Sequence, residues 1–369
     1  MSIKTAYSTK PAVKDAAAEV AAGIKESSPG VVVLFSSSKY EPAVVSKELQ
    51  AAFKNALVIG CTTAGEIVSG KMLKNSIVAM GIGSDVVEDA AVEVVSSIKT
   101  ENHVREAFAS FENHFSVKMA EMDTSSYVGL ILVDGLQGAE ERLMEKIGDL
   151  TNITFIGGSA GDDLAFKQTF VYANGKSYSN AALLALLKVK NGFDIIKTQS
   201  FCAMKKKLKA TKVDERNRTV LEFNGKPAAI AYAEALGVET EEGKNEFMRH
   251  PLGLIAADGQ PFVRSPQQTK DNAMVFYCNI KEASELSVLE STDIVNDTRK
   301  EVEEKIRSIG SVSGMINFHC ILRTLELEQK NQTAAYGKIF SSVPTIGFST
   351  YGEEYVGHIN QTSTILVFK

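Results

Sequence analysis

The sequence predicts an α/β protein with mixed sheets, built as two halves that contain three internal units. Apolar, β-branched runs alternate with amphipathic helical stretches along the chain. One order of elements (strand, helix, strand, polar glycine loop, strand) occurs three times, which is typical of an internal repeat. The 369 residues exceed what a single hydrophobic core organises well. We therefore expect two domains, residues 1–222 and 223–369.

The first unit follows an alanine-rich N-terminal helix over residues 12–27. In that helix Val13, Ala17, Val20 and Ile24 fall on one face. The unit itself is predicted as strand 31–38, helix 42–53, strand 56–60, a polar stretch through residue 66, and strand 77–83. Pro42 suits the first turn of the helix, because proline there lacks only an amide that would have no partner.

The second and third units repeat this order. The second is predicted as strand 128–135, helix 139–148, strand and loop 153–163, and strand 181–187. The third is predicted as strand 314–321, helix 324–336, strand and loop 344–354, and strand 362–368. IGCTTAGE (59–66) aligns with IGFSTYGE (346–353) without a gap, and IGGSAGD (156–162) needs one deletion. The repeat predicts equivalent positions for Gly65, Gly161 and Gly352, and loops that converge on a shared site.

A different region separates the second and third units. TVLEFNGKPA (219–228) predicts a strand that enters a loop, followed by a helix over 228–236. Asp258-Gly259 is a hairpin signal between two apolar runs. A helix over 293–309 follows, with Ser291 or Thr292 as its N-cap. The first domain is thus expected to hold two repeats and the second domain one.

Composition excludes several classes of function. The formal net charge is −5, which argues against a surface for nucleic acid or anionic membrane. No apolar segment reaches the roughly 20 residues that span a bilayer, and the N-terminus lacks a signal-peptide pattern. The four cysteines have no metal-ligand spacing and suit a reducing cytoplasm. One basic run, KKKLKATK (205–212), indicates an exposed edge strand.

Several of these motifs resemble the FIST sensory domain family. The segments that carry the resemblance are GCTTAGEI (60–67), FIGGSAGDD (155–163) and VLEFNGKPAAIAYAEALG (220–237). HPLGLIAADGQPFVRS (250–265), NFHCILR (317–323) and GFSTYGEE (347–354) resemble the C-terminal half of that family. The resemblance spans approximately residues 25–368 and implies a FIST N half and a FIST C half.

The resemblance implies an intracellular module that senses a small molecule. Amino acids have been proposed as ligands for the family, and one bacterial branch resembles nitric-oxide-responsive haem proteins. Many members are fused to output domains. Because this chain ends at its last predicted strand, we expect output through a separate partner, such as a histidine kinase or a cyclic-di-GMP enzyme. We expect the protein itself to be non-catalytic and cytoplasmic.

The three polar loops supply the candidate ligand-binding residues. Their hydroxyls, carboxylates and backbone amides would form a polar pocket for an amino-acid-like ligand at the interface of the two halves, with Thr62, Thr63, Gly65, Glu66, Ser159, Gly161, Asp162, Ser349, Gly352 and Glu353 as its members. Arg323, and more weakly Arg264, could bind a ligand carboxylate through two parallel hydrogen bonds. A structural interpretation stays open beside this one: the carboxylates cap backbone amides of their own turns.

Two further interpretations remain at this stage. Residues 157–161 match G-x-S-x-G, so a serine hydrolase could use Ser159 with Asp258 and with His319 or His358. That motif must lead from a strand straight into a helix, whereas residues 162–176 predict an extended hairpin. The second interpretation is a haem-based nitric oxide sensor, for which His319 and His358 are the axial candidates. The cofactor is unknown; a non-covalent haem stays open, and the lack of CxxCH excludes a covalent one.

Overall fold

The computed structural model describes residues 3–256 and 259–369, and the chain forms two compact units. The first comprises Met1–Thr198, Thr298–His358 and Ser363–Lys369, and the second comprises Gln199–Asp297 and Ile359–Thr362. These bounds differ from the expected division of the chain at residue 222. That division concerns the two sequence halves, and it stays a prediction. The predicted α/β class with mixed sheets is confirmed.

The three repeats are confirmed, and each is longer than the sequence indicates. The first repeat begins with a strand and a helix that precede the predicted unit: β1 (Ile3–Ser8), α1 (Val13–Ile24), β2 (Val31–Ser37), α2 (Pro42–Ala52), β3 (Leu57–Thr63), β4 (Glu66–Val68), β5 (Lys71–Leu73) and β6 (Ile77–Ile82). The second repeat has the same order: β7 (Val87–Ser96), α3 (Val104–Phe115), β8 (Tyr127–Val133), α4 (Glu140–Leu150), β9 (Phe155–Ser159), β10 (Val171–Ala173), β11 (Lys176–Tyr178) and β12 (Ala181–Val189).

The third repeat is interrupted in the chain by the second unit. It begins with β13 (Phe193–Gln199). The elements of the second unit then follow: β14 (Phe201–Asp214), β15 (Thr219–Phe223), β16 (Lys226–Pro227), α5 (Ala228–Leu236), β17 (Leu252–Ile255), β18 (Pro261–Arg264), β19 (Pro266–Lys270), β20 (Ala273–Phe276) and β21 (Glu285–Ser291). It resumes with α6 (Ile294–Ile309), β22 (Gly314–Cys320), α7 (Ile321–Gln329), α8 (Thr333–Lys338), β23 (Thr345–Thr350), β24 (Glu353–Tyr355), β25 (His358–Ile359) and β26 (Thr362–Phe368). The helix predicted over 324–336 is therefore two helices, because Asn331 adopts a left-handed φ of 56° between them.

Each repeat builds one six-stranded sheet in the same way. The orders are β1-β6-β2-β3-β10-β11, β7-β12-β8-β9-β24-β25 and β13-β26-β22-β23-β4-β5. In each sheet the two strands joined by a helix are parallel, and the closing strand is antiparallel to the first of them. The last two strands of every sheet are a hairpin from another repeat. The three repeats thus exchange their hairpins in a cycle.

The sheets of the first unit share one core. In β2, Val31, Val33 and Phe35 point into a cluster to which all three sheets contribute, whereas Val32 and Leu34 pack under α1 and α2. This alternation places apolar side chains on both faces of a strand, which explains why the strands are almost continuously hydrophobic. It also explains why residues 181–187, despite their helix propensity, form β12 between β8 and β7.

A glycine marks the same point in each sheet. A Cβ on Gly60, Gly157 or Gly347 would lie 1.8, 1.7 and 2.2 Å from the carbonyl oxygens of Leu34, Ile131 and Asn317 on the adjacent parallel strands. No side chain fits at that distance, so glycine is required where the paired strands approach most closely. These three glycines explain the recurrent IG of the sequence motif.

The second unit is an antiparallel sheet in the order β18-β17-β21-β14-β15-β20-β19, with β16 paired to β15. One face packs on α5 through Leu208, Ala210, Tyr232 and Leu286. β17 and β18 pair as the predicted hairpin, although Asp258 of its turn signal lies outside the described residues. Strand β14, which carries the basic run, lies between β21 and β15 in the sheet order, but residues 201–209 pair only with β21 and residues 210–214 pair only with β15. The predicted edge therefore holds for Lys205, Lys206 and Lys207, which have no strand on their second side, and not for β14 as a whole.

The close approach at the repeated glycine gives a stability prediction. We expect Gly157→Ala to lower the free energy of unfolding by more than about 3 kcal/mol, because its methyl group would overlap the Ile131 carbonyl and force the strands apart. Gly148→Ala is the matched control, since this α4 glycine has no atom within 4 Å of the added carbon and should gain about 1 kcal/mol. Chemical denaturation of both variants measures the difference. Equal stabilities would contradict the requirement for glycine.

Candidate functional site

The three polar loops are hydrogen-bonded to one another through their backbones. Ala64 N donates to Ser349 O (3.2 Å), Tyr351 N to Ser159 O (3.0 Å), and Gly161 N to Thr62 O (3.0 Å). These three bonds are equivalent, and they close a cycle over the three repeats. The predicted convergence of the loops is therefore present within the first unit.

The register of the second loop differs from the prediction by one residue. Gly161 occupies the position of Ala64 and Tyr351, whereas Gly65 and Gly352 are equivalent to each other: Gly65 O accepts from Ser349 N and Gly352 O accepts from Ser159 N, both at 2.8 Å. The proposed match of Gly161 with Gly65 and Gly352 was thus wrong. In the second copy the missing residue therefore lies after Gly161, at the position that Gly65 and Gly352 occupy in the other copies. From that point the chain continues to β10 through a longer connection.

The first and third loops hold their carboxylates in the same way. Thr63 Oγ1 donates to Glu66 Oε1 and Thr350 Oγ1 donates to Glu353 Oε1, each at 2.5 Å. Glu66 also accepts from the backbone N and the hydroxyl of Ser76, at 3.1 and 2.6 Å. Burial raises the pKa of Glu66 to about 8, which outweighs the opposing effect of these hydrogen bonds. Both carboxylates thus bond to groups of their own repeats.

The second loop adds a buried group of polar side chains around Ser159. The Ser159 hydroxyl lies 2.9 Å from Glu354 Oε1 and 3.2 Å from Glu140 Oε1. His358 Nδ1 lies 3.4 Å from the same oxygen of Glu354. Burial, and secondarily the neighbouring charge of Glu140, raise the pKa of Glu354 to about 7 against the lowering effect of His358. Gly352 makes room for the imidazole, because its added Cβ would lie 2.1 Å from His358 Cε1.

Asp162 organises the connection that follows the second loop. Its carboxylate accepts from the backbone amides of Phe166, Lys167 and Gln168 and from the Tyr351 hydroxyl. Three acceptor bonds to consecutive amides are the pattern of a capping residue. Asp162 is 2% exposed, so its side chain is used inside the protein.

The loop side chains are buried. Thr62, Thr63, Ser159 and Glu353 are 0% exposed, and Glu66 and Ser349 are 1% exposed. Most of their polar atoms bond to neighbouring loops or hairpins rather than face a shared opening. This geometry favours the structural interpretation for the loops, with Ser349 as the exception described below.

The geometry around Ser159 does not fit a nucleophile elbow. Within the described residues no helix lies between Ser159 and β10, so no helical N-terminus follows the serine. Its hydroxyl bonds to the carboxylates of Glu354 and Glu140, and among the described residues no imidazole hydrogen-bonds to it as the histidine of a triad would. Asp258, the acid of that hypothesis, lies outside the described residues.

The two candidate arginines are engaged in other contacts. Arg323 lies in the first turn of α7, is 1% exposed, and donates from Nη2 to Thr298 Oγ1 at 2.8 Å. Arg264 lies in the second unit and donates to the carbonyl oxygens of Asn279 and Val263. Each guanidinium therefore holds neighbouring segments of its own unit together.

The histidines do not fit an axial haem site. His319 is fully buried, its Nδ1 lies 2.9 Å from the Tyr336 hydroxyl, and its ring packs on that tyrosine. Burial, and secondarily the charge of Arg323, hold the pKa of His319 well below its usual range. His358 is held against Gly352 and Glu354. His319 is 0% exposed and His358 is 5% exposed, so neither imidazole presents a face to a group as large as haem in this structure.

A cavity of about 270 Å³ lies beside the third loop. It is lined by Met72, Leu73, Lys74, Thr324, Glu328, Thr333 and Ser349. At its floor the hydroxyls of Ser349 and Thr324, both nearly buried, lie 2.7 Å apart. At its mouth Lys74 Nζ and Glu328 Oε1 form an ion pair of 2.7 Å, with side-chain exposures of 56% and 31%. All of these residues belong to the first unit.

Sequence reasoning predicted only one residue of this cavity, Ser349. Met72, Leu73 and Lys74 belong to the hairpin of the first repeat, and they reach the third repeat only because β4 pairs with β23. No local pattern indicates that exchange. The one available signal was the i, i+4 spacing of Thr324 and Glu328, which places both side chains on one face of α7.

The raised pKa of Glu66 predicts a pH-dependent stability. Its folded pKa of about 8 lies above the ordinary 4.5, so protonation favours the folded state. The stabilisation is complete below about pH 4.5 and is lost as the pH rises through 8, by about 5 kcal/mol in total. Glu66→Gln should remove this dependence, because an amide carries no charge at any pH. Urea unfolding from pH 5 to pH 9 measures it.

The exposed Glu303 on α6 provides the control for that experiment, as Glu303→Gln should follow the wild-type profile. Glu354 affects the pH dependence of stability equally in the wild type and in Glu66→Gln. The difference between those two stability profiles therefore gives the contribution of Glu66 alone. A difference that stays constant with pH would show that Glu66 is already charged in the folded protein.

Comparisons with known proteins identify the chain. Residues 30–226 match the FIST N domain and residues 228–355 match the FIST C domain. An uncharacterized protein of Methanocaldococcus jannaschii is 25% identical over 263 residues, which are 67% of this chain and 51% of that relative. The chain thus spans about half the length of this curated relative. No helix among residues 3–256 and 259–369 is long and apolar enough to cross a membrane. FIST domains are sensory domains, and the two matches together show that the chain belongs to the FIST family.

Proposed function

We propose that the protein is a sensor that binds a small, amino-acid-like molecule in the cavity beside Ser349 and transmits the signal to a separate protein. The observation that carries this proposal is the combination of groups in the cavity wall. An ion pair, a pair of hydroxyls and two apolar side chains surround about 270 Å³, a volume near the lower end of the usual range for ligand pockets.

The chemistry of the wall suits a zwitterion. The ammonium of Lys74 is a partner for a carboxylate, and the carboxylate of Glu328 is a partner for an ammonium. Ser349 and Thr324 can donate or accept hydrogen bonds at the floor. Met72 and Leu73 offer apolar contact for a side chain. A ligand with both charges would replace the Lys74–Glu328 ion pair without leaving either charge unpaired.

The position of the cavity favours a sensory role. Its wall is formed by the β4–β5 hairpin from the first sequence half and by α7, α8 and β23 from the second half. A molecule bound there contacts both halves of the chain. Binding would stabilise their association and shift any equilibrium in which the hairpin separates from α7.

The rest of the proposal concerns the setting of the sensor. Cys61, Cys278 and Cys320 are buried and form no disulfide among the described residues, which supports a reducing, cytoplasmic location. A histidine kinase or a cyclic-di-GMP enzyme is the proposed kind of output partner. Ser159, between two carboxylates, supports a non-catalytic protein, and the packed rings of His319 and His358 disfavour the haem-based alternative.

Binding of amino acids tests the proposal. A panel of the common α-amino acids should contain at least one that raises the melting temperature and gives a saturable isotherm in calorimetry. Lys74→Met should weaken that binding by about 1.5 kcal/mol, or about tenfold, because the ligand carboxylate loses its charged partner. Glu328→Gln should weaken it to a similar degree through the ammonium.

The ion pair between Lys226 and Glu234 is a matched control. Its separation is also 2.7 Å and its side chains are about half exposed, but it lies in the second unit. Lys226→Met and Glu234→Gln should leave the dissociation constant unchanged. Absence of binding by every amino acid, or unchanged affinity in both Lys74→Met and Glu328→Gln, would contradict the proposed site.

A further inference from the structure

The hydroxyl pair at the floor of the cavity beside Ser349 has hydrogen-bonding capacity that the protein does not use. Ser349 and Thr324 are 1% and 3% exposed, and their oxygens lie 2.7 Å apart. One proton lies between the two oxygens, so the hydroxyl that accepts it keeps its own proton, and lone pairs remain on both. Among the described residues neither hydroxyl has another hydrogen-bond partner. The pair therefore presents a donor and acceptors to a molecule in the cavity.

The same strand position carries a hydroxyl in every repeat, two residues after the glycine of the close approach. In the first repeat Thr62 accepts from the backbone N of Phe170 at 3.0 Å. In the second repeat Ser159 bonds to two buried carboxylates. Both hydroxyls are thus bound to segments of the protein that fix them. Ser349, by contrast, lies at a cavity, so its spare capacity is not a general property of the fold.

The charged groups of the cavity lie at its mouth. Lys74 and Glu328, the ion pair described above, are the only ionisable side chains among the described residues that line the cavity. Thr324 and Glu328 are one turn apart on α7, a rise of about 6 Å, so one small molecule can contact the floor and the mouth together. An amino acid that binds Lys74 and Glu328 through its two charges therefore has the space above the hydroxyls for its side chain.

The floor discriminates between kinds of side chain. A charged end would lose its hydration there without gaining an opposite charge, which is costly. An apolar end would displace water from the hydroxyls and leave their remaining proton without an acceptor, which lowers affinity. A neutral hydroxyl or amide can accept that proton. Met72 and Leu73 are half-buried in the wall and can contact the methylene or methyl groups of the same side chain.

We propose that the ligand is an amino acid with a neutral, hydrogen-bonding side chain, namely serine, threonine, asparagine or glutamine, and that Ser349 and Thr324 set this specificity. The inference rests on the proposed function, because it requires Lys74 and Glu328 to hold the carboxylate and the ammonium of the ligand. It adds the part of the ligand that those two residues do not contact.

Pairs of amino acids of similar shape separate specificity from binding as such. The pairs are serine with alanine, threonine with valine, asparagine with leucine, and glutamine with methionine; aspartate and glutamate are the charged counterparts of the two amides. In calorimetry, the polar amino acid that binds most tightly should have a dissociation constant at least about tenfold below that of its apolar partner. An amide ligand should also bind at least about tenfold more tightly than its charged counterpart.

A double variant tests the role of the floor. Ser349→Ala with Thr324→Val removes both hydroxyls together, so neither is left without a partner and the fold should be retained. The preference for the polar member should disappear, and Ser349→Ala alone should reduce it. The control is Ser36→Ala with Tyr172→Phe, which removes a buried hydroxyl pair of 2.9 Å in the same unit, away from the cavity. It should keep the wild-type preference, and circular dichroism checks that all variants are folded.

The proposal is supported if the wild type and the control prefer the polar member and the floor variants lose that preference. It is overturned if an apolar or charged partner binds as tightly as the polar amino acid, or if the floor variants keep the preference. In both of those cases a loss of affinity in Lys74→Met would leave the proposed function standing. If no amino acid binds, the proposed function fails and this inference fails with it.

Discussion

The cyclic exchange of hairpins is the constraint on which the first unit depends. Each hairpin leaves its own sheet and pairs with the next, so a polar loop must cross between sheets at the end of β3, β9 and β23. At these crossings, sheet pairing alone leaves backbone N–H and C=O groups without hydrogen-bond partners. The loops satisfy them by bonding to each other, as Ala64, Gly161 and Tyr351 donate to successive repeats. Buried backbone groups almost always find such partners, and here no repeat can provide them alone.

This constraint explains the chemistry of the loops. Glu66 and Glu353 each accept from a threonine of their own loop, and Asp162 binds the amides of the connection that follows it. The same residue types would serve a ligand pocket, and sequence alone does not separate the two roles. Burial does so, because side chains with almost no exposed surface bind neighbouring segments. Ser349 differs, since one side of it faces a cavity.

Local patterns predicted much of the fold, and non-local pairing limited the rest. Strand and helix positions follow from alternation and periodicity, so β2, α2 and β22 were located correctly, and the IG of the motif marked the close approach at Gly60, Gly157 and Gly347. The hairpin exchange has no such signature, because β4 pairs with a strand almost 280 residues away. The wall of the cavity therefore escaped prediction at Lys74 and Glu328. The shift at Gly161 had the same origin, since only the contact with Thr62 fixes its position.

Native-state hydrogen exchange tests the central role of the loop cycle most directly. The backbone amides of Ala64, Gly161 and Tyr351 each donate to another repeat, so opening any one of them requires separation of the repeats. Their exchange should therefore proceed only through global unfolding, with the same free energy as the amides in the centres of β2, β8 and β22. Exchange of the loop amides at a clearly lower free energy, while the strand centres stay protected, would show that the loops open locally and would contradict the cycle as the element that holds the repeats together.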